Sequence, residues 1–234
     1  MLVTLDHIQD IAQNIQTFWF KPDKSLDYIA GQFIEMTLPH DNPDGRGQKH
    51  WFTLSSSPTE SLISITTKHA DGRVSTFKQV LFALKPGDKV SVSEAMGDFV
   101  LPKDLGIPLV FVAGGIGVTP IRSMIKWLKD KDEKRQIHVI YGARTLADVA
   151  FRDLLDSYGS KLDIVLSGQD GERKGRSGAL SGDLILALAG RSSDQLIYVS
   201  GPEPMTETIE GELLSLGVVS DKLVLDFFPG YPEY

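Results

Sequence analysis

The stretch Leu109-Val110-Phe111-Val112-Ala113-Gly114-Gly115-Ile116-Gly117-Val118-Thr119-Pro120 decides the fold of this chain. Its five leading apolar residues read as a buried strand. Three glycines in the next four positions break that strand. Thr119-Pro120 then reads as a helix start, with Thr as N-cap and Pro at the first helical position. A strand, a tight glycine turn and a helix N-terminus present backbone N–H groups at the positive end of a dipole. That is an anion site suited to the pyrophosphate of a dinucleotide. The same residues also fit a sharp strand-to-helix turn without a ligand, and Pro120 stands where the usual fingerprint has its third glycine.

Downstream of this stretch, strand and helix alternate. The helix at 119–131 buries Ile121, Met124, Ile125 and Leu128. Further strands are predicted at 137–141, 162–166, 195–200 and 222–226, with helices at 146–156, 181–189 and 204–216. Five strands alternating with helices predict a parallel, doubly wound sheet whose ligands sit at the carboxyl ends of its strands. Upstream, runs rich in β-branched and aromatic residues recur at 16–20, 33–38, 51–54, 62–67 and 89–92. Turn signals such as Asn42-Pro43-Asp44-Gly45 and Lys85-Pro86-Gly87-Asp88 separate them, which predicts an antiparallel barrel or sandwich. Residues 75–84 are the exception, because Phe77, Val80, Leu81 and Leu84 recur at helical spacing. The fold expected is therefore an antiparallel β-barrel domain over 1–103, followed by a parallel-sheet, Rossmann-like α/β domain over 104–234.

The composition narrows the function classes. A length of 234 residues, 41% hydrophobic and 24% charged, fits a globular protein with a substantial core. The net charge is −7 and no basic stripe is present, which argues against nucleic acid as a partner. No run approaches the length of a membrane span, and no signal peptide opens the chain, so a cytoplasmic location is expected. With no cysteine, thiolate-bound clusters, disulfides and a cysteine nucleophile are excluded. The five histidines show no metal-ligand spacing, and no metal is expected.

Six segments, in order and over nearly the whole chain, resemble the ferredoxin–NADP reductase superfamily. Tyr28-Ile29-Ala30-Gly31-Gln32-Phe33 resembles its early barrel segment. His50-Trp51-Phe52-Thr53-Leu54-Ser55-Ser56 resembles the flavin motif, where the family usually has Arg-x-Tyr-Ser or Arg-x-Tyr-Thr. Gly72-Arg73-Val74-Ser75 resembles the element that holds the flavin pyrophosphate, and residues 114–120 the nicotinamide-dinucleotide loop. Ser200-Gly201-Pro202 resembles the Cys-Gly-Pro segment beside the nicotinamide, and Phe228-Pro229-Gly230-Tyr231 a common C-terminal ending.

The resemblance implies FAD, or FMN, on the barrel and NADH or NADPH on the second domain. It assigns flavin contacts to His50, Trp51, Phe52, Thr53, Thr66 and Lys68, and to Gly72, Arg73, Val74, Ser75 and Thr76. Phe52 offers an aromatic face for a flavin ring and Thr53 a hydroxyl near flavin N5; an ordinary barrel-core Phe and a plain strand Thr are the alternatives. Ser75 also fits as the cap of the helix that follows it. His50 departs from the family's arginine, since neutral imidazole offers one donor where guanidinium offers a bidentate fork. The expectation is then a flavin affinity that is lower or pH-dependent, or a phosphate contact taken over by Arg73 or Arg46.

On the second domain the resemblance assigns nucleotide contacts to Gly114, Gly115, Gly117, Thr119, Pro120, Arg144, Ser200, Gly201 and Pro202. Ser200, in place of cysteine, is expected to face the cleft beside the reacting nicotinamide carbon and, with Thr53, to be catalytic. Tyr231 or Tyr234 is expected to cover the flavin, or else to pack on the surface. Tyr141-Gly142-Ala143-Arg144 lacks the acidic residue that binds ribose hydroxyls in NAD sites. Arg144, helped by Arg173-Lys174-Gly175-Arg176, leans the expectation towards NADPH. The activity implied is hydride transfer from NAD(P)H to flavin, with electrons passing on to a separate redox protein or small molecule. The alternatives are a subunit active only in a complex and a non-catalytic flavin- or nucleotide-binding regulator.

Overall fold

A computed structural model describes residues 1–69, 74–168 and 176–228, built around two six-stranded sheets. The first holds β1 (Leu2–Ala12), β2 (Ile15–Pro22), β3 (Phe33–Thr37), β4 (Lys49–Thr53), β5 (Ile63–Lys68) and β6 (Lys89–Val92). It is antiparallel, in the order β4-β3-β6-β1-β2-β5. The sheet closes on itself just past β4. Leu54 bridges Ile65 of β5, and the Ser55 N–H donates to the Ser64 carbonyl at 2.8 Å. Closure removes the free edges and encloses Val3, Leu5, Phe18, Phe20, Ile34, Met36 and Ile65. Helix α1 (Thr76–Ala83) plugs this core with Phe77 and Leu81.

Strand β1 is absent from the sequence expectation although it is 11 residues long. Its register shifts between Leu5 and His7 and again between Asp10 and Ala12, so two bulges break the alternation that marks a strand. Much of its outer face is also exposed and polar.

The second sheet is parallel, in the order β10-β9-β8-β7-β11-β12. Its strands are β7 (Leu109–Gly114), β8 (Ile137–Ala143), β9 (Lys161–Leu166), β10 (Arg176–Ser177), β11 (Leu196–Pro202) and β12 (Leu223–Phe228). Helices α2 (Val118–Asp130), α3 (Arg152–Ser157), α4 (Gly182–Ala189) and α5 (Glu203–Ser215) connect them. All of β7 is buried, with Phe111 facing Ile121 and Met124 on one side and Val110 and Val112 facing Ile185, Ile209 and Leu213 on the other. Burial on both faces explains why β7 reads as a continuous apolar run. The sheet has six strands where five were expected, because β10 is two exposed residues with no apolar signal. The helix expected at 146–156 is divided into a 3₁₀ turn, Leu146–Asp148, and α3. Phe151 between them is left-handed, at φ 59°.

The two halves share a core. Ile15, Ala30 and Phe99 from the first hundred residues pack with Ile121, Met124 and Tyr198. Among the described residues no helix is long and apolar enough to cross a membrane.

Candidate functional site

The strand order reverses between β7 and β11, so the connections leaving these neighbours diverge and open a crevice at their carboxyl ends. A 3₁₀ turn, Gly115–Gly117, lines one wall, and Gly201 and Pro202 at the end of β11 line the other. The same turn packs against β5 of the barrel, which places the crevice at the junction of the two sheets. A methyl group on Gly117 would stand 2.1 Å from the Ser200 carbonyl oxygen and 2.7 Å from the Gly201 nitrogen. One on Gly201 would stand 3.3 Å from the Gly114 Cα. These glycines let backbone meet backbone. Gly115 differs: its φ is +52°, and nothing lies within 4 Å of an added methyl. Its open side leaves that face of the turn uncovered by other residues.

The helix start departs from expectation. Gly117, rather than Thr119, occupies the N-cap position of α2, and the buried Thr119 hydroxyl donates to the Ile116 carbonyl at 3.0 Å. Pro120 is the third helical residue and is buried, where its missing N–H still costs no helical bond. Ser200 is likewise 0% exposed and does not open onto the cleft. Its hydroxyl donates to the Asp226 carboxylate at 3.0 Å, from the position paired with Asp226 across β11 and β12. Burial pushes the Asp226 carboxyl up to about 6, against the opposing pull of that hydrogen bond.

Across the junction, β4 carries residues 50–53, alternating buried and exposed up to Phe52 and then breaking at the buried Thr53. His50, Phe52 and Thr53 are buried and Trp51 is 58% exposed. Phe52 sits opposite Ile34 and packs on Phe77 of α1 at 5.8 Å between ring centroids, so its ring belongs to the barrel core. His50 stacks on Phe77 at 4.0 Å. Burial, and next the nearby Lys78, hold its imidazole down at about 4, so at neutral pH it carries no charge for a phosphate. Trp51, tilted against Phe33 at 6.2 Å, is the aromatic ring that β4 shows to solvent. Thr66 is committed to a buried hydroxyl chain, 2.7 Å from Thr17 and 2.8 Å from Ser55. Lys68 pairs with Asp148 of the second half at 3.0 Å.

Ser75 caps α1 as expected, its hydroxyl accepting from the Lys78 N–H at 3.2 Å. The Asp44 carboxylate accepts from the Thr76 N–H at 3.0 Å, so two of the helix's orphan donors already have partners within the protein. Arg46 and Lys78 crowd the same end of α1. Burial, and then Arg46, push Lys78 below the ordinary lysine range. Arg46 and Lys78 are cations that a diphosphate group could meet at this helix N-terminus, where it would compete with the Asp44 carboxylate for the helix N–H groups. Val74 lies at this end of α1, while Gly72, Arg73, residues 173–175, Tyr231 and Tyr234 lie outside the described residues.

At the end of β8, Arg144 is 59% exposed and 3.8 Å from Asp148. The sequence reading missed Asp226, and it missed Arg122 and Glu60, a largely buried ion pair joining the two halves. Arg122 flanks the apolar stripe of α2, and a charge beside such a stripe is the signal that could have flagged it. Among the described residues no cluster of metal-ligating side chains occurs.

An oxidoreductase NAD-binding domain model matches residues 111–211. The NADH oxidoreductase HCR of Escherichia coli is 30% identical over 193 residues, covering 82% of this chain and 57% of that protein. A flavohemoprotein of Bacillus thuringiensis is 26% identical over 235 residues, covering 92% of this chain and 57% of its own length. The chain thus spans little more than half the length of these curated relatives. Among solved structures, the FAD/NAD-binding domain of a Vibrio cholerae nitric oxide dioxygenase superposes with a TM-score of 0.80 at 19% identity, covering 98% of each chain. With a closed antiparallel barrel, a parallel sheet and a glycine turn at its switch point, the chain has the fold of the ferredoxin–NADP reductase superfamily, and residues 111–211 match the oxidoreductase NAD-binding domain.

Proposed function

We propose that this chain is an NAD(P)H-dependent flavoprotein reductase module, with flavin on residues 1–103 and nicotinamide nucleotide on 104–234. One observation carries the reading: the Gly115–Gly117 turn at the switch point lies against barrel strand β5, so both cofactor sites open on a single junction. A bound flavin supplies the change from two-electron hydride chemistry to single-electron transfer. The chain's own part is to bind and orient. Arg46, Lys78 and the N-terminus of α1 hold the diphosphate of FAD. Trp51 and Thr53 offer the aromatic face and hydroxyl of the flavin motif. Gly115 and Ile116 take the nucleotide pyrophosphate, and Ser200 with Asp226 shapes the floor of the crevice. Arg144 favours NADPH through charge-assisted bonds to its 2′-phosphate. The electron acceptor is a redox protein or a small molecule.

Anaerobic titration of the flavin-loaded protein with NADPH and with NADH tests this reading. Bleaching of the flavin absorbance is expected, at lower concentration with NADPH. A protein that takes up neither FAD nor FMN would overturn it, and so would a loaded protein that neither nucleotide bleaches.

A further inference from the structure

We propose that Arg122 is a positioning residue, a clamp that fixes the nucleotide helix α2 against the strand carrying the flavin motif. The inference rests on the reading above for its consequence, while its geometry stands independently. Arg122 lies on α2 within two turns of the Gly115–Gly117 loop, so the helix carries the loop with it. Its side chain is 9% exposed, and its neighbours Ile121, Met124 and Ile125 are core residues. The guanidinium donates through Nη1 to the Ser55 carbonyl at 2.9 Å and through Nη2 to Glu60 Oε1 at 3.0 Å. Nη1 also donates to the second Glu60 oxygen, completing a bidentate fork. Trp19 of β2 and Phe151 each lie against it, at 5.5 and 5.7 Å.

What Arg122 holds is two residues beyond Thr53. The Ser55 hydroxyl reaches Ser64 at 2.9 Å and Thr66 at 2.8 Å, so that segment is already tied to β5. The next residue of the helix adds a second tie, with the Ser123 hydroxyl donating to the Ser56 carbonyl. One guanidinium thus gathers β2, the end of β4 and, through Ser55, β5 onto the helix that follows the nucleotide loop. A buried ion pair contributes little stability beyond what apolar packing of the same volume supplies, but its directional bonds allow one geometry only. Transfer between two bound cofactors depends on that geometry, and a misplacement of about 1 Å costs on the order of 100-fold in rate.

The test compares Arg122→Met, Arg122→Lys and Glu60→Gln with the parent protein. Because the chain has no cysteine, Lys89→Cys and Glu207→Cys accept a spin-label pair on exposed sites of the two halves without background. The parent is expected to give one narrow label distance. Arg122→Met broadens that distance and slows flavin reduction about 10- to 100-fold, while KM for NAD(P)H changes less than about threefold. Glu60→Gln, which keeps an acceptor for the fork, retains most of the parent behaviour, and Arg122→Lys falls between. A folded Arg122→Met with parental distance width and parental reduction rate would overturn the clamp. So would parallel losses of rate, KM and thermal stability with an unchanged distance. If Arg122→Met does not fold, Arg122→Lys decides, by the same two readouts. If the parent itself reduces no flavin, the proposed activity fails and the label distances alone judge the clamp.

Discussion

Gly117→Ala adds one methyl group where the backbone of β11 already stands. The new carbon would lie 2.1 Å from the Ser200 oxygen, 2.4 Å from its carbonyl carbon and 2.7 Å from the Gly201 nitrogen. Ordinary contact begins near 3.4 Å, so the turn and strand must separate by about 1.3 Å. Neither can give easily. Ser200 is held in register to Ala113 on one side and to Asp226 on the other, and Gly117 begins α2. Overpacking of this kind costs about 1–3 kcal/mol, and backbone on both sides puts this case near the upper end. A loss of about 3 kcal/mol corresponds to a fall in Tm of roughly 6–12 °C for a chain of this size. Gly115→Ala is the control. It meets nothing within 4 Å and costs only the left-handed backbone at φ +52°, about 1–2 kcal/mol. Thermal unfolding and nucleotide titration of both variants are the assay. Gly117→Ala is expected to lose more stability than Gly115→Ala and to weaken NAD(P)H binding while sparing flavin. A Gly117→Ala protein melting within 2 °C of the parent would refute the close approach of turn and strand.

Phe52→Ala is expected to cost about 3–4 kcal/mol in denaturant unfolding, because its ring lies in the barrel core, whereas exposed Trp51→Ala stays within about 0.5 kcal/mol. Equal costs would remove Phe52 from the core. Asp226 and His50 impose opposite pH slopes on stability. The raised Asp226 carboxyl makes the native state bind the extra proton, so its contribution falls as pH rises between about 4 and 6. The lowered His50 imidazole makes the unfolded state bind it, so stability rises with pH between about 4 and 6.5. Asp226→Asn should therefore steepen the rise across this range and His50→Gln should flatten it, each by on the order of 1–2 kcal/mol; urea unfolding at pH 4 to 7 reads both. Arg144→Ala should weaken NADPH about 10- to 100-fold and leave NADH nearly unchanged. Equal losses for both nucleotides would dismiss Arg144 as a 2′-phosphate ligand.

The sequence by itself determined most of the two sheets, because ten of their twelve strands carry their burial in their own side chains. The continuous apolar run of β7 signals burial on both faces, and the glycines after it signal a turn at a strand end. Where local pattern and local structure part company, the reading failed for local reasons. Bulges erase the alternation of β1, a left-handed Phe151 splits one helix, and two exposed residues make β10 silent. The site was legible only as a list of segments. The tertiary structure alone decided that Ser200 turns to Asp226, that His50 stacks on Phe77 and stays neutral, and that Asp44 sits on the N-terminus of α1. It alone decided that Arg122 reaches back 62 residues to Glu60. Periodicity reports which face of an element is buried; protonation, hydrogen-bond direction and the joint between domains depend on what is buried opposite, and that partner is set by the fold.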